Sequence, residues 1–275
     1  MSALISNMSS FHSFVMSWIT YLDSFGASTW NLRVVAGVSA VVLLSMRYTI
    51  GHKWNVDWDA LVHAVISGVG SAVCIYLNIY AASHMTGGVN EPLGTIQCNG
   101  ALTSLHRIIP AITQGYAICD IINGWKLGPA FLAHGIGTFT IMTLFNELEA
   151  SAIITPMLIM EVSTIVLAML RCEFFTPKLQ LITQATFALL FFVCRILIAP
   201  YLCLDVIVKM NEHLGDCYPR FIYYVTLVFG VFFNGLNLFW FIKLVKKIQR
   251  KIRGEEAIGH TQVSEYDDRG SKKKN

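Results

Sequence analysis

The chain has 275 residues, of which 55% are hydrophobic and only 13% are charged, and its formal net charge is +3. With a mean hydropathy of +0.56, it carries too little charge for the surface of a soluble domain, which excludes soluble enzymes and binding modules. Its basic residues lie beside apolar segments or in the tail, without a stacking platform or fingerprint motif, so no nucleic-acid partner is predicted. Apolar blocks of about 20 residues instead predict an all-α, polytopic membrane protein with membrane lipids as partners.

The N-terminal residues 1–28 are predicted to be a lumenal segment with a short interfacial helix. Polar residues interrupt Phe11–Tyr21, and the first ten residues lack a basic start, so no cleavable signal peptide is predicted. Trp18 and Tyr21 are expected at the level of the headgroups. The transmembrane domain is predicted over residues 29–249, followed by a basic cytosolic tail over residues 250–275.

About seven helical spans are predicted within this domain from the length of the apolar blocks. Pro110 is expected to kink the third span, and Asn123-Gly124 is expected to break the chain before the fourth. The spans are Leu32–Tyr48, Ala60–Ala82, Leu102–Ile122, Leu127–Phe145, Ser151–Leu170, Leu181–Val208 and Arg220–Val245.

The bias of Lys and Arg between the loops sets the predicted orientation. The last span ends in the basic run KLVKKIQRKIRG, which should stay in the cytosol, and counting back through seven spans places the N-terminus in the lumen. The ending SKKKN, with Lys272 and Lys273, resembles a dilysine retrieval signal and predicts the endoplasmic reticulum; a solvated basic tail is the alternative. In the predicted lumenal regions, the sequon at Asn7 is either glycosylated or a chance triplet, and Cys98 and Cys217 either pair or stay free.

Ionisable side chains within the spans are the candidate functional residues, because such groups are costly at bilayer depth and usually face a cavity. Asp120 and His134 lie near the facing ends of two antiparallel spans, which predicts a carboxylate–imidazole pair suited to a general base or a nucleophilic nitrogen. Candidates to join this pair from neighbouring helices are His63, His106, Glu161 and Arg195. No G-x-S-x-G motif, H-E-x-x-H motif or zinc-ligand spacing accompanies them, so no metal site is predicted.

A purely structural role is the alternative for each of these residues. A histidine in a membrane span often makes only a helix–helix hydrogen bond. Arg195 would then pair with Glu161 or Asp205, because buried charges need partners. The number of ionisable groups within the spans favours a functional cluster over a structural one.

Ordered patches from about Val56 to Lys247 resemble the TLC-domain family, which includes ceramide synthases, translocon-associated membrane proteins and lipid-regulatory proteins. The patches are DWDALVHAVISGVG, ITQGYAICDI, FLAHGIG, LIMEVSTIVLAMLR, ATFALLFFVCRILIAPYL and NGLNLFWFIKLVKKI. The resemblance implies a barrel-like bundle round a central cavity that suits a lipid. The residues expected to line this cavity are Tyr116, His63, His106, Glu161, Ser163, Arg195 and Asn237, with His134 and Asp120 as the catalytic pair.

One departure from the family pattern bears on activity. Ceramide synthases carry two adjacent histidines, whereas here the first position is Ala133 and only His134 remains. Three functions are therefore open: a lipid-handling protein of the endoplasmic reticulum that acts in lipid homeostasis, an acyltransferase that uses His134, and a structural adaptor. No cofactor is predicted, apart from acyl-coenzyme A as the co-substrate of the acyltransferase, and a homo-oligomer is compatible with all three functions.

Overall fold

The computed structural model describes residues 29–50, 56–85, 104–148, 150–170, 172–212 and 219–253, together with residues 13, 17 and 54. The predictions for most of the N-terminal segment, for the Asn7 sequon, for Cys98 and Cys217, and for the tail from residue 254 onward lie outside these residues.

Every regular element in the described ranges is helical, which confirms the predicted all-α class. The α-helices are α1 (Thr29–Thr49), α2 (Trp58–Met85), α3 (Ser104–Leu127), α4 (Pro129–Glu147), α5 (Ser151–Ile154), α6 (Val162–Met169), α7 (Pro177–Phe191), α8 (Ala199–Glu212) and α9 (Arg220–Ile252). A 3₁₀ helix (Thr155–Glu161) joins α5 to α6, and a π-helix (Phe192–Ile198) joins α7 to α8.

Four helical segments in the described residues are long and apolar enough to cross a membrane by length and composition. They are Asn31–Thr49, Trp58–Ile79, Pro177–Asn211 and Arg220–Arg250. Helices α3 and α4 and the rod from α5 to α6 occupy the positions of the other three predicted spans, but they are more polar or shorter. The chain is thus a multi-pass membrane protein, and the count of seven spans stays a prediction.

Helices α3 and α4 form an antiparallel hairpin joined by Gly128 alone. Gly128 has φ of 111° and ψ of 168°, a backbone region that is nearly restricted to glycine, so a side chain here would strain the reversal. The predicted break at Asn123-Gly124 is wrong, because α3 continues through both residues. Gly124 is needed for packing instead, since a Cβ at this position would lie 2.9 Å from the backbone nitrogen of Leu132 in α4.

Two irregular helices interrupt the fifth and sixth predicted spans. The 3₁₀ helix ends at Glu161, and Arg195 lies in the middle of the π-helix. Short 3₁₀ and π segments inside longer helices often occur at functional sites, because they rotate side chains out of the regular α-helical register. Each irregular helix in this chain carries one member of the same buried ion pair.

The largest apolar core lies between α3, α4, the 3₁₀ helix, α8 and α9. Its most buried members include Ile109, Ile141, Phe145, Ile153, Val206 and Ile222. Large apolar side chains on the outer faces, such as Val38, Leu204 and Val231, are exposed. Outward apolar faces are expected where helices contact lipid, which leaves the bundle interior as the place for polar groups.

Candidate functional site

His134 and Asp120 face each other across the α3–α4 hairpin. His134 Nε2 lies 3.9 Å from Asp120 Oδ2, which is within the range of an ion pair but too long for a direct hydrogen bond. Gly135 permits this approach of the helices, since a Cβ there would lie 3.1 Å from the carbonyl carbon of Asp120. The two side chains thus lie at similar depth, as the sequence predicts, and their catalytic role stays a prediction.

Tyr116 connects this pair to a second histidine. Its ring, one turn before Asp120 on α3, stacks on the imidazole of His63 with the centroids 4.0 Å apart and the planes at 4°. His63 Nε2 lies 3.3 Å from Thr113 Oγ1, which in turn lies 3.0 Å from Ser67 Oγ. The imidazole of His63 is therefore held on one face by the phenol ring and at one nitrogen by a hydroxyl.

The guanidinium of Arg195 is at the centre of a buried network. Its Nε donates to Ser163 Oγ at 2.9 Å, and its Nη1 donates to Asn237 Oδ1 at 3.3 Å. Its Nη2 donates to Thr164 Oγ1 at 2.8 Å and to Glu161 Oε1 at 3.2 Å. The side chains of Arg195 and Glu161 are only 8% and 9% exposed, so the ion pair depends on these neighbours to replace the lost hydration.

Glu161 is the partner of Arg195, and Asp205 is not. The carboxylate of Asp205 accepts a hydrogen bond from Lys209 Nζ at 2.9 Å, one turn along α8. The sequence left Glu161 and Asp205 open as partners of Arg195. The structure pairs Arg195 with Glu161, which lines both cavities.

Two cavities meet between these residues. The smaller has a volume of about 70 Å³. The larger, of about 470 Å³, has a mixed wall of apolar, acidic and basic residues, among them Leu167, Asp57, Lys243 and Lys247. The smaller cavity has a mainly apolar wall, with members such as Ile141, Met142, Phe145, Met157 and Phe229. The residues that line both cavities are Tyr116, Asp120, His134 and Glu161, and we call these four the polar junction.

Helix α9 closes one side of the polar junction. The ring of Trp240 meets the imidazole of His134 edge-on with the centroids 5.3 Å apart, and the ring of Phe233 does so at 5.7 Å. These contacts limit the rotation of the imidazole, so His134 faces the cavities rather than the surrounding lipid.

The other predicted site residues divide between the two cavities and the surrounding structure. His63 lines the smaller cavity, and Ser163 and Arg195 line the larger one. Asn237 reaches the site only through Arg195. His106 is buried outside both cavities, and its carbonyl accepts a hydrogen bond from Thr155 Oγ1 at 2.8 Å. The structure therefore does not bring His106 to the polar junction.

Threonine hydroxyls that matter to the site escaped the sequence analysis. Thr113 and Thr164 have no charge to attract attention, yet Thr113 contacts His63 and Thr164 contacts Arg195. Helical spacing could have identified both threonines. Each lies three residues from a predicted site residue, Tyr116 or Glu161, and so shares its helix face.

Comparison with known proteins identifies the family. The family model described as the TLC domain matches residues 53–246, which is more than half of the chain. None of the curated proteins and none of the solved structures compared with the chain matches it. The matched range contains all four residues of the polar junction and the Arg195 network. This chain is a multi-pass membrane protein that belongs to the TLC-domain family.

Proposed function

We propose that this chain handles lipids in the membrane of the endoplasmic reticulum and acts in lipid homeostasis without acyl transfer. In this proposal, a short part of a lipid's apolar chain enters the smaller cavity, whose volume is about 70 Å³, and the polar part lies in the larger one. The observation that carries the proposal is that the polar junction lines both cavities, so an amphiphile placed across it has each of its ends in a matching environment.

The energetics of transfer from the bilayer favour lipid selection at the polar junction. An alkyl chain that leaves the bilayer for an apolar cavity gains little, because lipid tails are already as apolar as the cavity wall. A polar group gains more, because it exchanges water at the interface for hydrogen bonds in a secluded site of low dielectric. The lipid class should therefore depend on the polar junction and its neighbours more than on the apolar wall.

Lipid analysis of the purified protein tests this proposal. We expect lipid to co-purify in a mild detergent, and we expect Ala199→Phe to reduce the amount, because Ala199 is 3% exposed and lines the smaller cavity. Leu197→Phe is the matched control, since Leu197 lies two residues earlier and is 51% exposed on the outer face.

Two results would contradict lipid binding in the cavity. One is a wild-type protein that carries no lipid above the level of the detergent blank. The other is an equal amount of the same lipid on the wild type and on Ala199→Phe. If Ala199→Phe does not fold, the smaller change Ala199→Val makes the same comparison.

An acyltransferase is the second candidate, and one observation favours it. His134 lines both cavities and has the Asp120 carboxylate 3.9 Å from its Nε2, an arrangement that suits a general base. Microsomes with a labelled long-chain base and acyl-coenzyme A test it. Product that forms with the wild type and falls by roughly 10²–10⁴-fold in His134→Ala would establish catalysis and overturn the non-catalytic proposal.

The variant Ala133→His tests whether the missing imidazole alone prevents activity. Adjacent residues of an α-helix project about 100° apart, so the new side chain would not simply duplicate His134. A gain of acyl-transfer activity would mean that the remaining site is otherwise competent. The structural adaptor is the weakest candidate, because it requires a packed interior, whereas the described residues line two partly open cavities.

A further inference from the structure

The end of helix α9 is long enough to leave the hydrocarbon core of the membrane. The helix has 33 residues, and the 22 residues from Phe221 to Ile242 carry no charged side chain. As an α-helix, this uncharged stretch spans about 33 Å, close to the roughly 30 Å of a hydrocarbon core. The residues from Lys243 onward therefore lie at the level of the lipid headgroups.

Basic residues follow one side of this helix end. No acidic residue occurs between Lys243 and Arg253. The backbone N–H of Arg253 donates to the carbonyl of Gln249 at 3.1 Å, so the helical register continues to Arg253. At about 100° per residue, five cations lie within an arc of about 120°, and Val245 and Ile248 lie on the opposite side. The five are Lys243, Lys246, Lys247, Arg250 and Arg253, and we call them the basic face. All are exposed except Lys247, which is half-buried.

Membrane topology alone does not require this one-sided placement. Lys and Arg orient a span by their number beside it, whichever side of a helix they occupy. Cations also stabilise the C-terminus of a helix, but that effect is confined to the last turn, whereas Lys243 lies more than two turns before Ile252. A helix end with one basic side and one apolar side fits a negatively charged membrane surface.

The excess positive charge lies on the helix end and not in the larger cavity. In the cavity wall, Arg195 pairs with Glu161, and Arg47 pairs with Asp59 just behind the wall. The other charged residues that line this cavity are two acids and two bases, namely Asp57, Asp120, Lys243 and Lys247. By contrast, the sequence from residue 243 to residue 256 contains six basic and two acidic residues. An anion is therefore attracted to the helix end more than to the cavity.

From this arrangement we propose that the basic face binds anionic phospholipids of the leaflet that surrounds this end of α9. The phosphate oxygens accept charge-assisted hydrogen bonds from Lys and Arg, and several cations together attract a headgroup of net negative charge. A zwitterionic headgroup carries its own cation beside the phosphate and is attracted less. Lys243 and Lys247 also line the larger cavity, so a bound headgroup lies beside that cavity. The binding itself requires no lipid inside either cavity.

Two phospholipids with the same acyl chains test this inference on the wild-type protein. They are dioleoylphosphatidylglycerol, which is anionic, and dioleoylphosphatidylcholine, which is zwitterionic. Each is titrated against the purified full-length protein in a nonionic detergent, with the rise in thermal unfolding midpoint as the readout. We expect the anionic lipid to bind on the order of tenfold more tightly in about 0.1 M salt, since each nearby cation contributes about fivefold.

The salt dependence separates charge from chain contacts. The preference should fall to about twofold or less in about 1 M salt, because the screening length shortens from about 10 Å to about 3 Å. Equal binding of the two lipids in low salt, or a preference that high salt leaves intact, would overturn the proposal.

A pair of double variants tests whether the basic face is the binding surface. Lys246→Gln/Arg250→Gln removes two of its cations, neither of which lines a cavity, and should abolish a tenfold preference. Lys126→Gln/Lys178→Gln is the matched control, since it removes the same charge from exposed residues of α3 and α7. The control should keep the preference to within about twofold. An equal loss in both double variants would assign the preference to the net charge of the protein and contradict the inference.

The outcomes also separate this inference from the proposed function. Co-purified lipid together with equal binding of the two phospholipids would end the anionic selection and leave lipid binding in the cavities in place. A preference for the anionic lipid in a protein whose co-purified lipid is unaffected by Ala199→Phe would end the proposed function alone. Should the double variant fail to fold, Lys246→Gln makes the same comparison with an expected loss of about fivefold.

Discussion

At the scale of single residues, Arg195 has the most extensive polar network in the site. Three hydroxyl or amide oxygens and one carboxylate accept its hydrogen bonds, and its guanidinium carbon lies 5.4 Å from the ring centroid of Phe191. A buried charge of this kind is stable only while all the partners in its network are present. Removal of one member leaves another buried and unpaired, which costs more than the pair contributes.

The first prediction concerns this ion pair. Arg195→Leu should lower the stability by about 3–5 kcal/mol, because it leaves Glu161 buried without its cation. The double variant Arg195→Leu/Glu161→Leu should recover much of the loss, since it removes both charges from the interior. The measurement is the thermal midpoint for loss of monodisperse protein in detergent, compared across the cycle.

The ion pair between Arg33 and Glu147 provides the control for this cycle. It has a short bidentate geometry, with distances of 2.7 and 2.8 Å, but its side chains are 61% and 35% exposed. Arg33→Leu should change the midpoint little, because solvent screens an exposed pair. A loss in Arg33→Leu as large as that in Arg195→Leu would mean that burial is not the reason for the sensitivity.

The sequence predicted most of the residues that the structure brings together, but not all their partners, and it wrongly placed His106 among them. The Asp120–His134 contact could be predicted, because the two ionisable residues lie near the facing ends of adjacent antiparallel helices. The stacking of His63 on Tyr116 could not be predicted, because it depends on how α2 is rotated about its axis against α3. That rotation is set by tertiary packing, as at Gly70, where a Cβ would overlap the side chain of Ile109.

At the scale of helices, glycines determine how closely the elements approach. A Cβ at Gly115 of α3 would lie 2.8 Å from Ser39 Cβ and 2.9 Å from the backbone nitrogen of Ala40, both in α1. Small residues at such crossings allow helices in a membrane to come close enough for van der Waals contact. The irregular helices were not predictable in the same way, since no local pattern distinguishes a 3₁₀ or π segment from an apolar α-helix.

The second prediction compares a glycine at this interface, Gly115, with an exposed glycine of α1, Gly37. Gly115→Ala should lower stability by about 1–3 kcal/mol, because the added methyl group meets backbone atoms that cannot move aside. Gly37→Ala in α1 should be neutral or slightly stabilising, since a Cβ there meets nothing within 4 Å and alanine favours the helix. Thermal midpoints in detergent measure both, and equal effects of the two substitutions would contradict close packing of α1 on α3.

At the scale of the whole molecule, the parity of the membrane crossings among the described helices depends on one short rod. The α3–α4 hairpin has a one-residue link, so it crosses the membrane twice or not at all and leaves the relative sides of the two termini unchanged. With one crossing each, the four long apolar segments likewise contribute an even number of crossings. Among the described helices, the rod of α5, the 3₁₀ helix and α6 therefore decides whether the number of crossings is odd or even.

The geometry of this rod favours a full crossing. It contains 4 residues in α5, 7 in the 3₁₀ helix and 8 in α6. A 3₁₀ helix rises about 2.0 Å per residue and an α-helix about 1.5 Å, so the rod is about 32 Å long, close to the roughly 30 Å of a hydrocarbon core. The 3₁₀ segment thus adds several ångströms to a segment that would otherwise be slightly short.

The last prediction combines this length with the basic run at the end of the last span: the N-terminus should be lumenal and the C-terminus cytosolic. In cells whose plasma membrane alone is permeabilised, an antibody should reach a tag after Asn275 but not a tag before Met1. Both tags should be reached once internal membranes are also opened, which controls for antibody access. If both tags were reached in the first condition, the rod from Ser151 to Met169 would not cross, and Glu161 would lie at one membrane surface instead of at mid-depth.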